Sequence, residues 1–600
     1  MGSGSVNKSF EPDGDNKKQA TSKHADFKHL QEHYDEITDN KLPDYLHRGD
    51  ITSVNRFLGY HDAMMATCGT FLVLPLRNLN NMVLASEYEE LKKNHHLPHD
   101  PIVVDDLAGY IHAMRLELIM FFLGFLVICT IWESNNIRTI VIKRYDDFLI
   151  FLGIAQMFST LVLPFSIALQ GHWPDERVTV LITMITLIIT SVIELVMIVY
   201  GFSCPRLLNM AINDYDNKER RNLILLMCLK PVFDICLVGI AGALAVWDFR
   251  ASWVLITLLV LWPIFRNLGF YLRRKYVNQN KQENCRFYYY YSKGQISKER
   301  LEAFTDAAVA IIACVLMLDI TVEEFPTSKK VDEEGLIAVL NHMLPEFRGF
   351  FGTYLIVSTL WYVNHTVINL FHTVDSVVLY LQKFFLAFLC LNPLSSSMYI
   401  KFSTKGEDTK VSTLWMNAMG ITAAMTQVFM LCWGYYRGEK LIHSWSTYSE
   451  RVRHSDINRK QFLYVRLKLA VFPFWALVGF SGYFATGKVP AILTTISTLG
   501  GTVTFIALKF IFMNHIGKKS ILHHNDSIRQ PSGDQVEMRR ELEKEVSDGQ
   551  VFDNEEQVEA SAIKKAEKEE IEKQIQKDNE EIEKVKEQFG IEGTEGNTRV

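Results

Sequence analysis

Two aspartates and two arginines stand where charge is expensive. Arg56-Phe57-Leu58-Gly59-Tyr60-His61-Asp62 opens an apolar stretch that ends at Pro75. Two hundred and forty-four residues later, Arg300-Leu301-Glu302-Ala303-Phe304-Thr305-Asp306 opens another, which ends at Asp319. An ionised group inside a bilayer is costly unless it is paired, so residues of this kind mark ion or proton pathways. A polar-headed helix written twice predicts a pore or transport route with internal pseudo-symmetry. For either copy alone, a simpler reading exists: the arginine snorkels to the interface and the aspartate caps the first turn. The duplication argues against it.

At about 100° per residue, Arg300, Phe304, Ile311 and Leu318 fall on one stripe, with Cys314 on its flank. Arg56, Tyr60, Thr67 and Leu74 form the matching stripe, with Thr70 beside it. Asp62 and Asp306 point away from these stripes. If the stripes line a pore, the aspartates face neighbouring helices and need partners there, because an unpaired buried carboxylate is strongly unfavourable. The expected partners are the motif arginine of a neighbouring copy and the polar groups of Trp361, Asn364 and His365.

The elements that must hold these residues are membrane helices. The apolar residues, 48% of 600, gather into twelve runs of roughly 20, the length that crosses a bilayer core as a helix. They begin near 57–76, 108–132 and 147–169 and end near 461–484 and 490–513. Long polar ends hold the mean hydropathy to +0.06 and carry much of the net charge of −6. The fold class is an all-α polytopic membrane protein.

Basic loops, among them Arg138, Lys143 and Arg144 after run 2 and Arg273, Arg274 and Lys275 after run 6, place both termini in the cytosol by the positive-inside rule. The N-terminal segment has no cleavable signal sequence, so the first span is expected to act as its own insertion signal. No cysteine falls in a loop on the far side, and no disulfide framework is expected.

Trp132 and Trp361, Asn135 and Asn364, Asp146 and Asp375, Pro164 and Pro393, and Ser166 and Ser395 all stand 229 residues apart. These pairs predict two homologous six-helix repeats. Six is even, so the repeats insert in parallel orientation, related by an axis along the membrane normal. The expected organisation is a cytosolic tail over 1–55, a first repeat over 56–272, a basic linker over 273–299, a second repeat over 300–514, and a partly helical cytosolic tail over 515–600.

Arg-x-x-x-Phe-Ser-Asp at the head of a six-helix unit resembles the signature of the transmembrane protein 175 family of endosomal and lysosomal potassium channels. Arg300-x-x-x-Phe304-Thr305-Asp306 is close to it, Trp361-x-x-x-His365 resembles the family's polar network, and the likeness covers about 55–515. The resemblance implies a homodimer whose four first-of-repeat helices form the pore. It also implies a hydrophobic constriction seven residues after the motif aromatic, which is Ile311 in one copy and Thr67 in the other. Three residues further on stand Thr70 and Cys314. The resemblance implies potassium as the permeant ion, with protons as a second, in an endosomal or lysosomal membrane, with the plasma membrane as the alternative.

The first motif departs from the pattern: it reads Tyr60-His61-Asp62, and Thr67 replaces the isoleucine. Hydroxyls in a dewetting constriction lower its barrier, so a leakier pore is expected. His61 is expected either to titrate and modulate opening or to serve as a hydrogen-bonded structural group.

The remaining features point to ordinary roles. His95, His96 and His99 read as an exposed loop and not as a metal site. Gly500-Gly501 reads as a close helix contact, and Lys230-Pro231 with Asp234 as a kink with a local ion pair. No hydrolase, phosphate-loop or metalloprotease motif is present, so no enzymatic activity is expected, nor any cofactor beyond the permeant ion, nor a nucleic-acid partner. Tyr34-Asp-Glu-Ile37 fits a short sorting pattern. The spacing of Ile571, Ile575, Ile582, Val585 and Phe589 suggests a weakly self-associating or regulator-binding tail helix. Two other functions fit the same residues: an ion- or proton-coupled secondary transporter using Asp62 and Asp306, and a non-conducting membrane scaffold.

Overall fold

A computed structural model describes residues 51–76, parts of 82–93, 102–209, 217–262 apart from 246–247, 296–318, 328–402, 407–443 and 456–529, with a few single residues between. His95, His96 and His99, Arg273 to Lys275, the Tyr34–Ile37 pattern and the 571–589 segment lie outside the described residues. A helix occupies each of the twelve apolar runs. They are α1 (Val54–Phe71), α2 (Arg115–Val141), α3 (Asp147–His172), α4 (Arg177–Ser203), α5 (Asn217–Leu244), α6 (Phe249–Val260), α7 (Lys298–Leu318), α8 (Leu344–Ile368), α9 (Ser376–Cys390, continued by Asn392–Phe402), α10 (Glu407–Arg437), α11 (Asp456–Phe480) and α12 (Val489–Arg529). Among the described residues, nine helices are long and apolar enough to cross a membrane. The three outside that set are α6, which is short, and α1 and α8, whose apolar runs are interrupted by the polar motif residues. The protein is an all-α polytopic membrane protein.

Three expected boundaries move. The second run was placed at 108–132, but the chain breaks at Met114 and α2 runs on to Val141. Arg138, expected in a loop, is therefore inside the helix and buried, with its guanidinium toward Gln156 and Tyr145. A mostly polar stretch, Glu133 to Arg138, looks like the end of a span, but Glu133, Ser134, Asn135 and Arg138 are turned toward side chains of neighbouring helices, Lys383, Glu194, His61 and Gln156. At the other edge, β1 (Ile51–Ser53), assigned above to the tail, pairs antiparallel with β4 (Arg144–Asp146). A second short pair, β2 (Met82–Leu84) and β3 (Ile102–Val104), is parallel. At the C-terminal end α12 continues past residue 514 to Arg529.

Equivalent contacts recur in the two halves. Asp146 caps α3 through the Leu149 amide, and Asp375 caps α9 through that of Val378, at 2.9 and 3.0 Å. The second carboxylate oxygen of each accepts from the fourth helix of its half, from Tyr200 Oη at 2.6 Å and from Trp433 Nε1 at 2.9 Å. Isolated bridges join Ile142 to Leu208 and Phe371 to Ile442. Both run close beneath a glycine, Gly201 or Gly434, where a Cβ would collide with Ile142 or with Ile442 and Phe371.

The halves are joined by a buried ion pair. Lys383 Nζ on α9 lies 2.8 Å from Glu133 Oε2 on α2, and Arg266 stands 3.6 Å from the other oxygen. Both Lys383 and Glu133 are 3% exposed or less. Removing one member of such a pair strands the other in low dielectric, whereas replacing both with apolar groups is tolerated. Lys383→Met should therefore cost about 3 kcal/mol, read as a lower melting temperature in detergent. Lys383→Met with Glu133→Met and Arg266→Met, which leaves no member of the cluster stranded, should recover most of it.

Candidate pore and motif network

The two motif helices, α1 and α7, lie side by side, and their charged residues cross from one half to the other. Asp62 is buried in α1 and accepts 2.8 Å from Trp132 Nε1 on α2. Its other oxygen lies 3.3 Å from the Arg300 guanidinium of α7. That guanidinium also reaches the Asn55 side chain at 3.3 Å. Directly beneath, Phe304 stacks on Trp132 with centroids 4.5 Å apart and planes at 28°. The second motif's arginine and aromatic thus clamp the first motif's aspartate and its tryptophan.

The reciprocal half of this arrangement is open. Asp306 accepts from Trp361 at 2.7 Å, as Asp62 does from Trp132. No arginine reaches Asp306 among the described residues, and it is exposed. Arg56 and Tyr60, the counterparts of Arg300 and Phe304, are exposed too, Tyr60 by 52%.

The middle motif residue is handled differently in each copy. In the second, Thr305 accepts from Gln382 at 2.9 Å, and Gln382 exchanges two hydrogen bonds with Asn364. In the first, Gly153 stands at the place of Gln382, 229 residues earlier, and the Phe57 ring fills the space its side chain would need. The longer His61 therefore reaches Asn135 directly, Nε2 to Nδ2 at 2.6 Å. His61, Phe57 and Gly153 are one compensated substitution for Thr305, Leu301 and Gln382. Of the two roles expected for His61, the geometry is that of a buried hydrogen-bonded group.

Asn364 and His365 do not reach an aspartate, contrary to expectation. Asn364 is held by Gln382, and His365 stacks on Trp361 with centroids 5.8 Å apart and meets Asn369 at 2.9 Å. Of the expected pore residues, Thr67, Leu74 and Ile311 are partly exposed, and Cys314 and Leu318 are exposed. Thr70 is instead buried, with its hydroxyl donated within its own helix to Ala66 and Thr67. Phe304 is buried as well, because its ring is taken up by Trp132. Asp306, expected to turn inward, lies on the exposed side of α7.

Sequence reasoning missed Gln382 and Lys383, and saw only part of a buried charged group. Lys230 pairs with Asp234 at 2.7 Å, as expected, but also approaches Glu194 at 3.9 Å, and Glu194 accepts from Ser134. A lysine in the middle of the apolar run 376–400 was the available signal, since such a charge needs a partner on another helix.

These features define a polytopic α-helical membrane protein with two polar-headed helices packed against each other. A profile of the family described as "Endosomal/lysosomal potassium channel TMEM175" matches residues 300–393. The "Endosomal/lysosomal proton channel TMEM175" of Danio rerio is 26% identical over 428 residues, 70% of this chain and 78% of that one. That of Gallus gallus is 23% identical over 470 residues, 76% and 86% of the two chains. A crystal structure of a lysosomal potassium-selective TMEM175 homologue from Chamaesiphon minutus covers 36% of this chain and 97% of its own, with 19% identity and a TM-score of 0.27. The chain is similar to the TMEM175 channels over much of its length, as the second motif indicated.

Asp62 is nearly inaccessible and depends on Arg300, whereas Arg56 has no ion pair among the described residues. Arg300→Ala should therefore lower the melting temperature of the protein clearly more than Arg56→Ala does in a monomeric preparation. Adding Asp62→Asn to Arg300→Ala should restore most of the loss, because the neutral amide still accepts from Trp132.

Proposed function

We propose that the protein is a cation channel permeable to potassium, and to protons, in endosomal or lysosomal membranes. The names of its relatives support the ions and the compartment. The observation that carries the reading is the half-closed motif network. Arg300 and Phe304 satisfy Asp62 and Trp132, while Arg56 and Tyr60 are exposed and Asp306, held by Trp361, meets no arginine among the described residues. A second copy related by a twofold axis closes both open halves at once, since each chain offers what the other lacks. Four motif helices then surround one axis.

On this reading the chain is a homodimer of two parallel six-helix repeats, over 56–272 and 300–514, with twelve spans and both termini in the cytosol. The tail beyond 515 is free to meet cytosolic regulators. Thr67, Leu74, Ile311, Cys314 and Leu318 face the conduit, and the Ile311 ring is the dewetting constriction. Arg56, Tyr60, Asp62, Arg300, Phe304, Asp306 and Trp361 form the collar that sets the helix spacing. His61, Thr305, Asn364 and His365 brace it.

Recordings from purified protein in liposomes test this. A channel gives large downhill currents whose reversal potential follows the potassium gradient. A fixed coupling stoichiometry would identify a transporter, and no current at all a scaffold. Thr67→Ile should reduce the basal current severalfold by completing the apolar ring; an unchanged current would remove Thr67 from the conduit.

A further inference from the structure

Each half buries a lysine in its fifth helix, and only the first half supplies it with carboxylates. Lys230 of α5 pairs with Asp234 at 2.7 Å and lies 3.9 Å from Glu194 of α4, with Glu133 of α2 near enough to act on it electrostatically. Its counterpart is Lys468 of α11, which follows a leucine as Lys230 does. Lys468 is 6% exposed and donates to the Tyr362 hydroxyl at 2.9 Å. Tyr362 stands 229 residues after Glu133, so the two lysines address the same place on the second helix of their halves. Gln427 stands where Glu194 would, at the separation of 233 that also relates Tyr200 to Trp433 and Gly201 to Gly434. The place of Asp234 falls among Phe472, Pro473 and Phe474. No aspartate or glutamate occurs over 350–368, 420–437, 463–484 or 489–512, the neighbouring stretches of α8, α10, α11 and α12.

Aromatic rings surround Lys468 instead. Its Nζ lies 4.4 Å from the centroid of Tyr362 and 4.2 Å from that of Tyr464, one turn away on α11. Ring faces attract a cation but carry no net negative charge. An ammonium at this depth in a membrane still calls for a counter-charge. The next helix adds another cation. Phe505 of α12 meets Tyr362 edge-on with centroids 6.2 Å apart, and Phe512 stacks on Tyr464 at 5.2 Å. Between them in sequence stands Lys509, exposed and near enough to Tyr362 to act on it electrostatically. We infer that Lys468 and Lys509, with the hydroxyls of Tyr362 and Tyr464, form a binding site for the anionic headgroup of a membrane lipid. Lys468 is five residues inside the span 463–484, and Lys509 is three residues from the end of the span 489–512. Both therefore lie within about 8 Å of the same membrane face, at headgroup depth. On the orientation proposed above this is the cytosolic leaflet, where anionic lipids gather. Lys509 meets the headgroup at the surface, and the headgroup supplies Lys468 with the negative charge that Glu194, Asp234 and Glu133 supply to Lys230. The first half, with its lysine already paired, has no such site.

The experiment titrates full-length protein in detergent with phosphatidylserine or with phosphatidylcholine of the same acyl chains. Bound lipid is counted by native mass spectrometry, and the melting temperature is followed in parallel. The wild-type chain should bind phosphatidylserine severalfold more tightly and melt higher with it. Lys509→Gln and Lys468→Met should each cut that preference about fivefold. Lys488→Gln, an exposed lysine at the opposite end of the same two helices, should leave it unchanged. Should Lys468→Met fail to fold, Lys509→Gln, at an exposed position, decides alone. Soluble glycerophosphoserine at equal concentration should not displace the lipid; if it does, the site takes a free phosphate and the inference fails. It fails equally if the wild type does not distinguish the two lipids, or if Lys509→Gln keeps the full preference.

Discussion

The structure depends on giving partners to a carboxylate buried among membrane helices. Asp62 has almost no access to solvent, and its two oxygens are claimed by an indole from its own half and a guanidinium from the other. The first half does not satisfy its aspartate alone. That constraint fixes the separation of α1 and α7, brings Phe304 onto Trp132, and ties a local requirement of one side chain to the mutual position of the two repeats. The Lys383–Glu133 pair repeats the arrangement at a second place along the same boundary. Charge buried across a boundary is weak as a source of stability and strong as a source of register.

The two copies of the motif have diverged without losing the network. In the second copy a threonine reaches an asparagine through a glutamine; in the first a histidine reaches it directly, and a phenylalanine occupies the space of the missing glutamine. The first copy, which departs from the family signature in its central residues, therefore still braces its helix. The departure that bears on conduction is the other one, Thr67, whose hydroxyl is donated to the Ala63 carbonyl at 2.8 Å, leaving its oxygen lone pairs toward the partly exposed face.

The sequence made the helices and their duplication legible because both are written in local periodicity and in a constant separation. The motif arginines, aromatics and aspartates were legible because charge in an apolar run is conspicuous. What could not be read was which partner each would take. Asn364 looked like a ligand of Asp306 on spacing alone, yet Gln382, on a different helix, intervenes. Arg138 and Glu133 ended an apolar run on paper, whereas packing with α3 and α9 let α2 continue through them. Helix phase likewise set Thr70 on the flank of the motif stripe and turned Asp306 toward neighbouring helices, whereas Thr70 is buried and Asp306 exposed.

The central claim is that α1 and α7 border the route taken by ions. Native Cys314, exposed on α7 three residues beyond Ile311, gives direct access to it. Current through liposome-reconstituted protein should fall on treatment with a charged, membrane-impermeant methanethiosulfonate reagent, and Cys314→Ala should abolish that sensitivity while exposed Cys236 and Cys432 remain. If mass spectrometry finds Cys314 fully modified and the current unchanged, the conduit lies elsewhere.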